Sequence, residues 1–223
     1  MRKPTVSYKN LRVSNIFSKE YRHLLWLSGW IVYFLFFFLT EGLIPAEKCQ
    51  PIHCSLDDLI PFREFFILPY VMWYLLIIGS LLYFMFYNKE NFAALQKFII
   101  ITQIIAIAVY IIFPNRQDMR PEVFPRDNIF TDMVAFIYSI DTNTGVCPSL
   151  HVAYSVGIAS VWLKEKSASK LAKALIVLFC ITVCISVVFV KQHSVLDIFA
   201  AIPLCLIAEA LVFRKYYILK LKL

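Results

Sequence analysis

The chain has 223 residues, 60% of them hydrophobic and 16% aromatic, with a mean hydropathy of +0.70. Soluble domains carry about 45–50% apolar residues, so this composition excludes an ordinary soluble protein and indicates an all-α integral membrane protein with one membrane domain. The formal charge of +7 does not indicate a nucleic-acid partner, because no soluble segment carries a basic stripe interleaved with aromatics.

Residues 1–23 form a basic segment with Arg2, Lys3, Lys9, Arg12, Lys19 and Arg22, suited to orientation and to attraction by anionic membrane lipids. The apolar run that follows is long and has no small-residue cleavage site, so it reads as a retained first span and not a signal peptide. Six spans are predicted within a membrane domain covering 24–213, at roughly 24–44, 66–87, 92–113, 149–163, 171–190 and 193–213. A basic tail, 214–223, closes the chain. Between the first two spans lies a polar loop with Cys49, His53, Cys54, Asp57 and Asp58. The two aspartates are expected to cap the helix of the second span, and the Cys-x4-Cys spacing makes a candidate disulfide in an oxidising compartment. His23 beside Trp26 reads as an interfacial residue, and the four tryptophans, Trp26, Trp30, Trp73 and Trp162, read as packing residues or interface anchors. The long connection 114–148 is rich in charge. Its middle, 129–140, is apolar enough for a short amphipathic helix, and loops of this length are often functional.

Six spans place both termini on one side. The N-terminal segment, the links at 88–97 and 164–173 and the tail hold sixteen of the 22 lysines and arginines. The opposite loops hold Lys48, Arg63, Arg116, Arg120, Arg126 and Lys191. The bias of basic residues towards the cytoplasm therefore puts both termini inside. It also puts Arg120, Ser149, His151, His193 and Asp197 on the outer side, although they come from three segments far apart in sequence.

The stretch 190–197, between two apolar runs, is where the chemistry concentrates. His193 and Asp197 are four residues apart, so on a helix they share a face. A carboxylate so placed holds one imidazole nitrogen protonated and leaves the other as a nucleophile or base. The plainer alternative is a polar pair capping a membrane helix. Upstream, Cys147-Pro148-Ser149-Leu150-His151 opens the fourth span. Proline suits a first helical turn, the Ser149 hydroxyl can cap it, and the N–H groups of a helix start suit a phosphate.

Arg120-Pro121, Pro148-Ser149-Leu150-His151, and Ser186 with His193 and Asp197 together resemble the superfamily of type 2 phosphatidic acid phosphatases and vanadium haloperoxidases. The family pattern runs K-x6-R-P, P-S-G-H, S-R-x5-H-x3-D in that order. The Pro-Ser-Leu-His variant, and the stretch 53–70, look more like the branch containing inositol phosphorylceramide synthases. The resemblance implies a six-helix membrane enzyme whose active site lies at the extracytoplasmic helix ends. In it His193 attacks phosphorus, Asp197 orients His193, and His151 serves the leaving and incoming oxygens. Arg120 and Ser149 hold phosphoryl oxygens, with no metal or other cofactor. Three departures stand out: Phe113 replaces the family lysine, Leu150 the glycine and Val187 the arginine. Lys191 and Arg116 are the nearest substitutes for the missing cations.

The expected activity is that of a lipid phosphatase acting on a lipid phosphate or pyrophosphate through a phosphohistidine, or of a head-group phosphotransferase using the same first half-reaction. The expected partners are an amphiphilic phospholipid or lipid phosphate and the surrounding membrane lipids, in what reads as a bacterial cytoplasmic membrane. Three rivals remain at this stage: a small transporter, an inactive scaffold, and a zinc site made from His151, His193 and Asp197. Oligomeric state is not legible.

Overall fold

The computed structural model describes residues 4–220. Arg2, Lys3 and Lys222 of the two basic ends lie outside them. The chain is mostly helical. Eight α-helices run in the order α1 (Ser28–Leu43), α2 (Ser55–Leu59), α3 (Ile67–Tyr87), α4 (Lys89–Ile112), α5 (Ile129–Ile140), α6 (Leu150–Lys164), α7 (Lys170–Phe189) and α8 (Val195–Lys220). Two strands of two residues each, β1 (Gln50–Pro51) and β2 (Asn115–Arg116), pair in parallel. Among the described residues, five helical stretches are long and apolar enough to cross a membrane: Arg22–Leu43, Glu64–Tyr87, Lys89–Ile112, Lys170–Phe189 and Val195–Ile218. The sixth expected span, at 149–163, is a shorter helix and is not among these five.

The fourth expected span is α6, whose 15 residues reach about 22 Å at 1.5 Å per residue, against the ~30 Å of a hydrocarbon core. Its side chains explain how it is held. Ala153, Tyr154, Gly157, Ile158 and Val161 are all buried, because α6 packs against α4, α7 and α8 at once. It is short because it sits inside the bundle and begins at the buried site described below.

Local sequence sets most boundaries. Asn88 accepts from Asn91 N–H and starts α4 one residue after α3 ends, which makes the tight hairpin the polar link suggested. Ser169 accepts from Ala172 N–H at the start of α7, and Asn128 accepts from Phe130 and Thr131 N–H at the start of α5. α5 is the amphipathic helix expected in the long connection. Its Val134 and Ile137 bury against a small cluster that includes Ile67, Tyr70, Val152, Val187 and Ala201. A larger cluster, built on Phe84, Phe92, Phe98, Ile158 and Val183, fills the bundle.

The loop after α1 and the 114–148 connection are knitted together. Gln50 pairs with Asn115 and Pro51 with Arg116, and the Arg126 guanidinium meets Glu64 in two bonds of 2.5 Å. Among the described residues all six cysteines are free. Cys49 and Cys54 are therefore two thiols and not the candidate disulfide.

Candidate functional site

The geometry at the α7–α8 junction follows from a helix stop. Gln192 N–H donates to Val187 O and Lys191 N–H to Val188 O, the bond pair of a Schellman motif. The residue after the helix must then turn left-handed, and Lys191 does so with φ 54°. Its ammonium reaches back to Asp57 O at 2.9 Å and Ile60 O at 2.6 Å. Lys191 was a candidate phosphate ligand, but its charge is committed to two carbonyls. Burial pushes the ammonium below its ordinary pKa, while Asp57 and Asp58 oppose that shift. Arg116, the other candidate, grips Asp118 and donates to Ala46 O at 2.6 Å.

The turn delivers His193 two residues ahead of α8, so the expected shared helical face is replaced by a cap. Asp197 Oδ2 accepts from Ser194 N–H at 3.0 Å, and Ser194 Oγ accepts from Leu196 N–H, a reciprocal box at the helix start. The same Oδ2 lies 3.0 Å from His193 Nδ1. A carboxylate only accepts, so Nδ1 of the neutral ring carries the proton and Nε2 holds the lone pair. That Nε2 lies 3.3 Å from His151 Nδ1. Asp197, His193 and His151 thus form one chain, with Asp197 fully buried.

Ser149 caps α6, accepting from Val152 N–H, and its own N–H donates to Asp197 O at 3.1 Å. This bond ties the starts of α6 and α8 together. The segment before it is held by Asn115, whose side chain accepts from Val146 and Cys147 N–H and donates to Cys147 O. The Cys147–Pro148 bond is cis. Burial and the adjacent Asp197 push the Cys147 thiol up to about 12.

Arg120 was expected to hold phosphoryl oxygens directly. Its Nε and Nη2 donate to Gln192 Oε1 at 3.0 and 2.6 Å, and its remaining bonds go to the carbonyls of Tyr138, Asp141 and Thr142. The guanidinium also lies 4.5 Å over the Tyr138 ring. Gln192 in turn donates to Asp141 Oδ2 at 3.0 Å and to the Tyr70 hydroxyl at 3.3 Å. Arg120 therefore stands behind Gln192. Burial lowers the guanidinium pKa, and the Asp141 charge counters it. Burial likewise raises the Asp141 carboxyl, and His193 and Arg120 oppose that shift.

His151 and His193 line a cavity of about 490 Å³. Its walls are mainly aromatic: Trp30, Tyr33 and Phe37 from one face of α1, Trp73 and Tyr74 from α3, and Tyr110 from α4. Asp141, Thr142, Thr144 and Gln192 supply polar wall. Among the described residues no lysine or arginine lines it. The His151 ring lies between Tyr70 and Trp73, with centroids 4.7 and 4.2 Å away. His151 Nε2 and Trp73 Nε1 are buried with no hydrogen-bond partner among the described residues.

Several of these residues lay outside the sequence reading. Trp30 and Trp73 pack in the larger cluster, as expected, and also form cavity wall. Gln192, Asp141 and Tyr70 carry no motif of their own, although Gln192 sits beside His193 in sequence. The aromatic repeat at 30, 33 and 37 on α1 is the one signal that could have marked the wall. Asp57, expected as a cap for the second span, caps α8: it accepts from Ser194 Oγ at 2.6 Å and Val195 N–H at 2.8 Å. Burial pushes its carboxyl up, but these bonds and one from Cys54 N–H outweigh burial and hold it below the ordinary range. His23 is buried against Phe92 and bonds the Tyr8 hydroxyl. Among the described residues no group of three or more His, Cys, Asp or Glu is arranged to hold a metal ion.

Compared with known proteins, the chain matches no protein-family model, no curated protein and no solved structure.

Proposed function

We propose that this chain is a membrane enzyme that takes the phosphoryl group of an amphiphilic phosphate ester onto His193. The observation that carries the reading is the Asp197–His193–His151 chain, with links of 3.0 and 3.3 Å, whose two histidines line an aromatic cavity. The chain orients one histidine lone pair and keeps a second imidazole beside it. The cavity is of a size and polarity to take an acyl-bearing ligand.

In this mechanism His193 Nε2 forms a bond to phosphorus as the bond from phosphorus to the leaving alcohol breaks. The leaving oxygen takes a proton from His151. His151 then accepts the proton of water or of an alcohol, whose oxygen attacks phosphorus and frees His193. With water the enzyme is a lipid phosphatase; with a lipid alcohol it is a head-group phosphotransferase. One observation favours transfer from a diester: the absence of lysine and arginine from the described cavity wall suits an ester with one negative charge better than one with two. Donors for its oxygens would be Trp73 Nε1–H and His151, with Arg120 acting through Gln192. The resemblance to the phosphatidic acid phosphatase superfamily supports the roles given to His193, Asp197 and His151, though it would have Arg120 and Ser149 hold the phosphoryl oxygens directly. It also supports a topology in which α6 completes a sixth crossing, both termini lie in the cytoplasm of a bacterial cell and the site opens outward. The membrane domain, 24–213, then carries all of the catalytic groups.

The test is release of phosphate, or transfer of the head group to an added lipid alcohol, by purified protein in EDTA over a panel of lipid phosphates, pyrophosphates and phosphodiesters. Turnover that His193→Ala abolishes supports the proposal. Turnover equal in both proteins, or none on the whole panel, overturns it.

A further inference from the structure

The cavity is short of positive charge and rich in negative charge and aromatic faces. Asp141 lines it directly. Glu41, one helical turn after Phe37, accepts from the hydroxyls of Thr142 at 2.5 Å and Thr144 at 2.7 Å, and both threonines are cavity wall. Glu41 thus stands one hydrogen bond behind the wall that Asp141 lines. Arg120 is the one cation bonded to this cluster among the described residues, and its donors are spent on Gln192 and carbonyls. Around the carboxylates stand Tyr33, Tyr74 and Trp73, with Trp30, Phe37 and Tyr110 continuing the wall.

A phosphate monoester entering this space would bring two negative charges against two carboxylates and meet no free lysine or arginine. A quaternary or primary ammonium meets what it needs: π faces, which attract cations, and the Asp141 carboxylate, whose hydrogen-bond partners Gln192 and Tyr70 are neutral. A bound ammonium would also offset the burial that raises the Asp141 carboxyl. The orphaned nitrogens of His151 and Trp73 mark where the phosphate end of the same ligand would lie.

We infer that the cavity recognises a zwitterionic phosphodiester amphiphile, its ammonium-bearing head group held by Asp141 and the aromatic wall, with Glu41 adding negative charge from behind Thr142 and Thr144, while its phosphate faces His151 and His193. This names the substrate class of the site proposed above and rests on that reading for turnover, but not for binding.

The experiment therefore separates the two. Binding of dodecylphosphocholine and dodecyl phosphate, which share a chain and differ in head group, is followed by tryptophan fluorescence in maltoside micelles; Trp30 and Trp73 report from the wall. It is measured on the wild type and on His193→Ala, which cannot turn over. The expected result is that dodecylphosphocholine binds about tenfold more tightly to both. Asp141→Asn and Glu41→Gln should each erode that preference. Tyr33→Leu, which leaves the carboxylates in place, should weaken the ammonium ligand and spare dodecyl phosphate. Equal binding, or tighter binding of dodecyl phosphate, overturns the inference even where His193-dependent turnover persists. A head-group preference without His193-dependent turnover would uphold it and overturn the catalytic reading alone.

Discussion

His193 is useful because of what its neighbours fix. Asp197 accepts from Nδ1–H, which sets the tautomer and leaves the Nε2 lone pair facing His151 Nδ1 at 3.3 Å, to be turned to phosphorus when a substrate enters. Asp197→Asn keeps the shape but removes the charge and can present an N–H to the ring. The account expects kcat to fall by roughly 10²–10⁴, with the lipid KM little changed, as steady-state turnover would read out. Lys191 makes the opposite case. Its left-handed φ costs about 1 kcal/mol for a side chain with a Cβ, and its ammonium serves the carbonyls of Asp57 and Ile60. Lys191→Ala should therefore lower the unfolding temperature while leaving KM for a charged lipid within about threefold. Lys191→Gly, which removes the strain, should recover part of the loss. A KM rise confined to phosphate-bearing substrates in both variants would instead make Lys191 a ligand.

Among the elements, α2 shows how a short outer helix controls a long inner one. Asp57 closes the box at its own helix start and also caps α8, beside the catalytic stretch. Its carboxyl is held below the ordinary range. A group whose folded pKa is depressed stabilises the fold above its unfolded value, about 4, and that stability is lost as pH falls through the folded value. Thermal unfolding of the wild type should thus lose stability below about pH 4. Asp57→Asn should be less stable at pH 7 and show a flatter acid limb. Parallel acid limbs in the two proteins would contradict this role.

Sequence periodicity made much of this scale legible. The apolar runs placed α3, α4, α7 and α8 within a few residues, and the apolar middle of the long connection placed α5. It did not set α6 apart from the longer spans, because all are apolar runs and only packing shows that α6 is sheathed by four neighbours, α3, α4, α7 and α8. Nor did it show Asp57 reaching α8, a contact between residues 137 positions apart.

For the whole molecule, the bundle gathers the starts of α3, α6 and α8, the end of α4 and the α7–α8 turn at one end, where the 114–148 connection folds over them. The convergence of His151, His193 and Asp197 was readable from motif order and charge bias. The absence of a cation at the described cavity wall was not. Arg120 and Lys191 look available in the sequence, and only their partners in space, Gln192 and two carbonyls, show them committed. If α6 completes a crossing, both ends of the chain face the cytoplasm and the connection faces outward. Single cysteines introduced at Asp118 and at Lys166 test this with an impermeant thiol reagent on intact cells. The account expects labelling at 118 and protection at 166 until the membrane is opened. Labelling of both, or the reverse pattern, would contradict it.

The central claim is that His193 carries the phosphoryl group. The most direct measurement is alkali-quenched labelling of the purified protein by a phosphorus-labelled lipid phosphodiester, kept at high pH because a P–N bond survives base and hydrolyses in acid, with the modified residue located by mass spectrometry. The account predicts a phosphorylated His193 in the wild type, increased when His151→Ala slows the second half-reaction more than the first, and absent in His193→Ala. Steady turnover with no label at His193 under any quench, or label on another residue that survives His193→Ala, would contradict it.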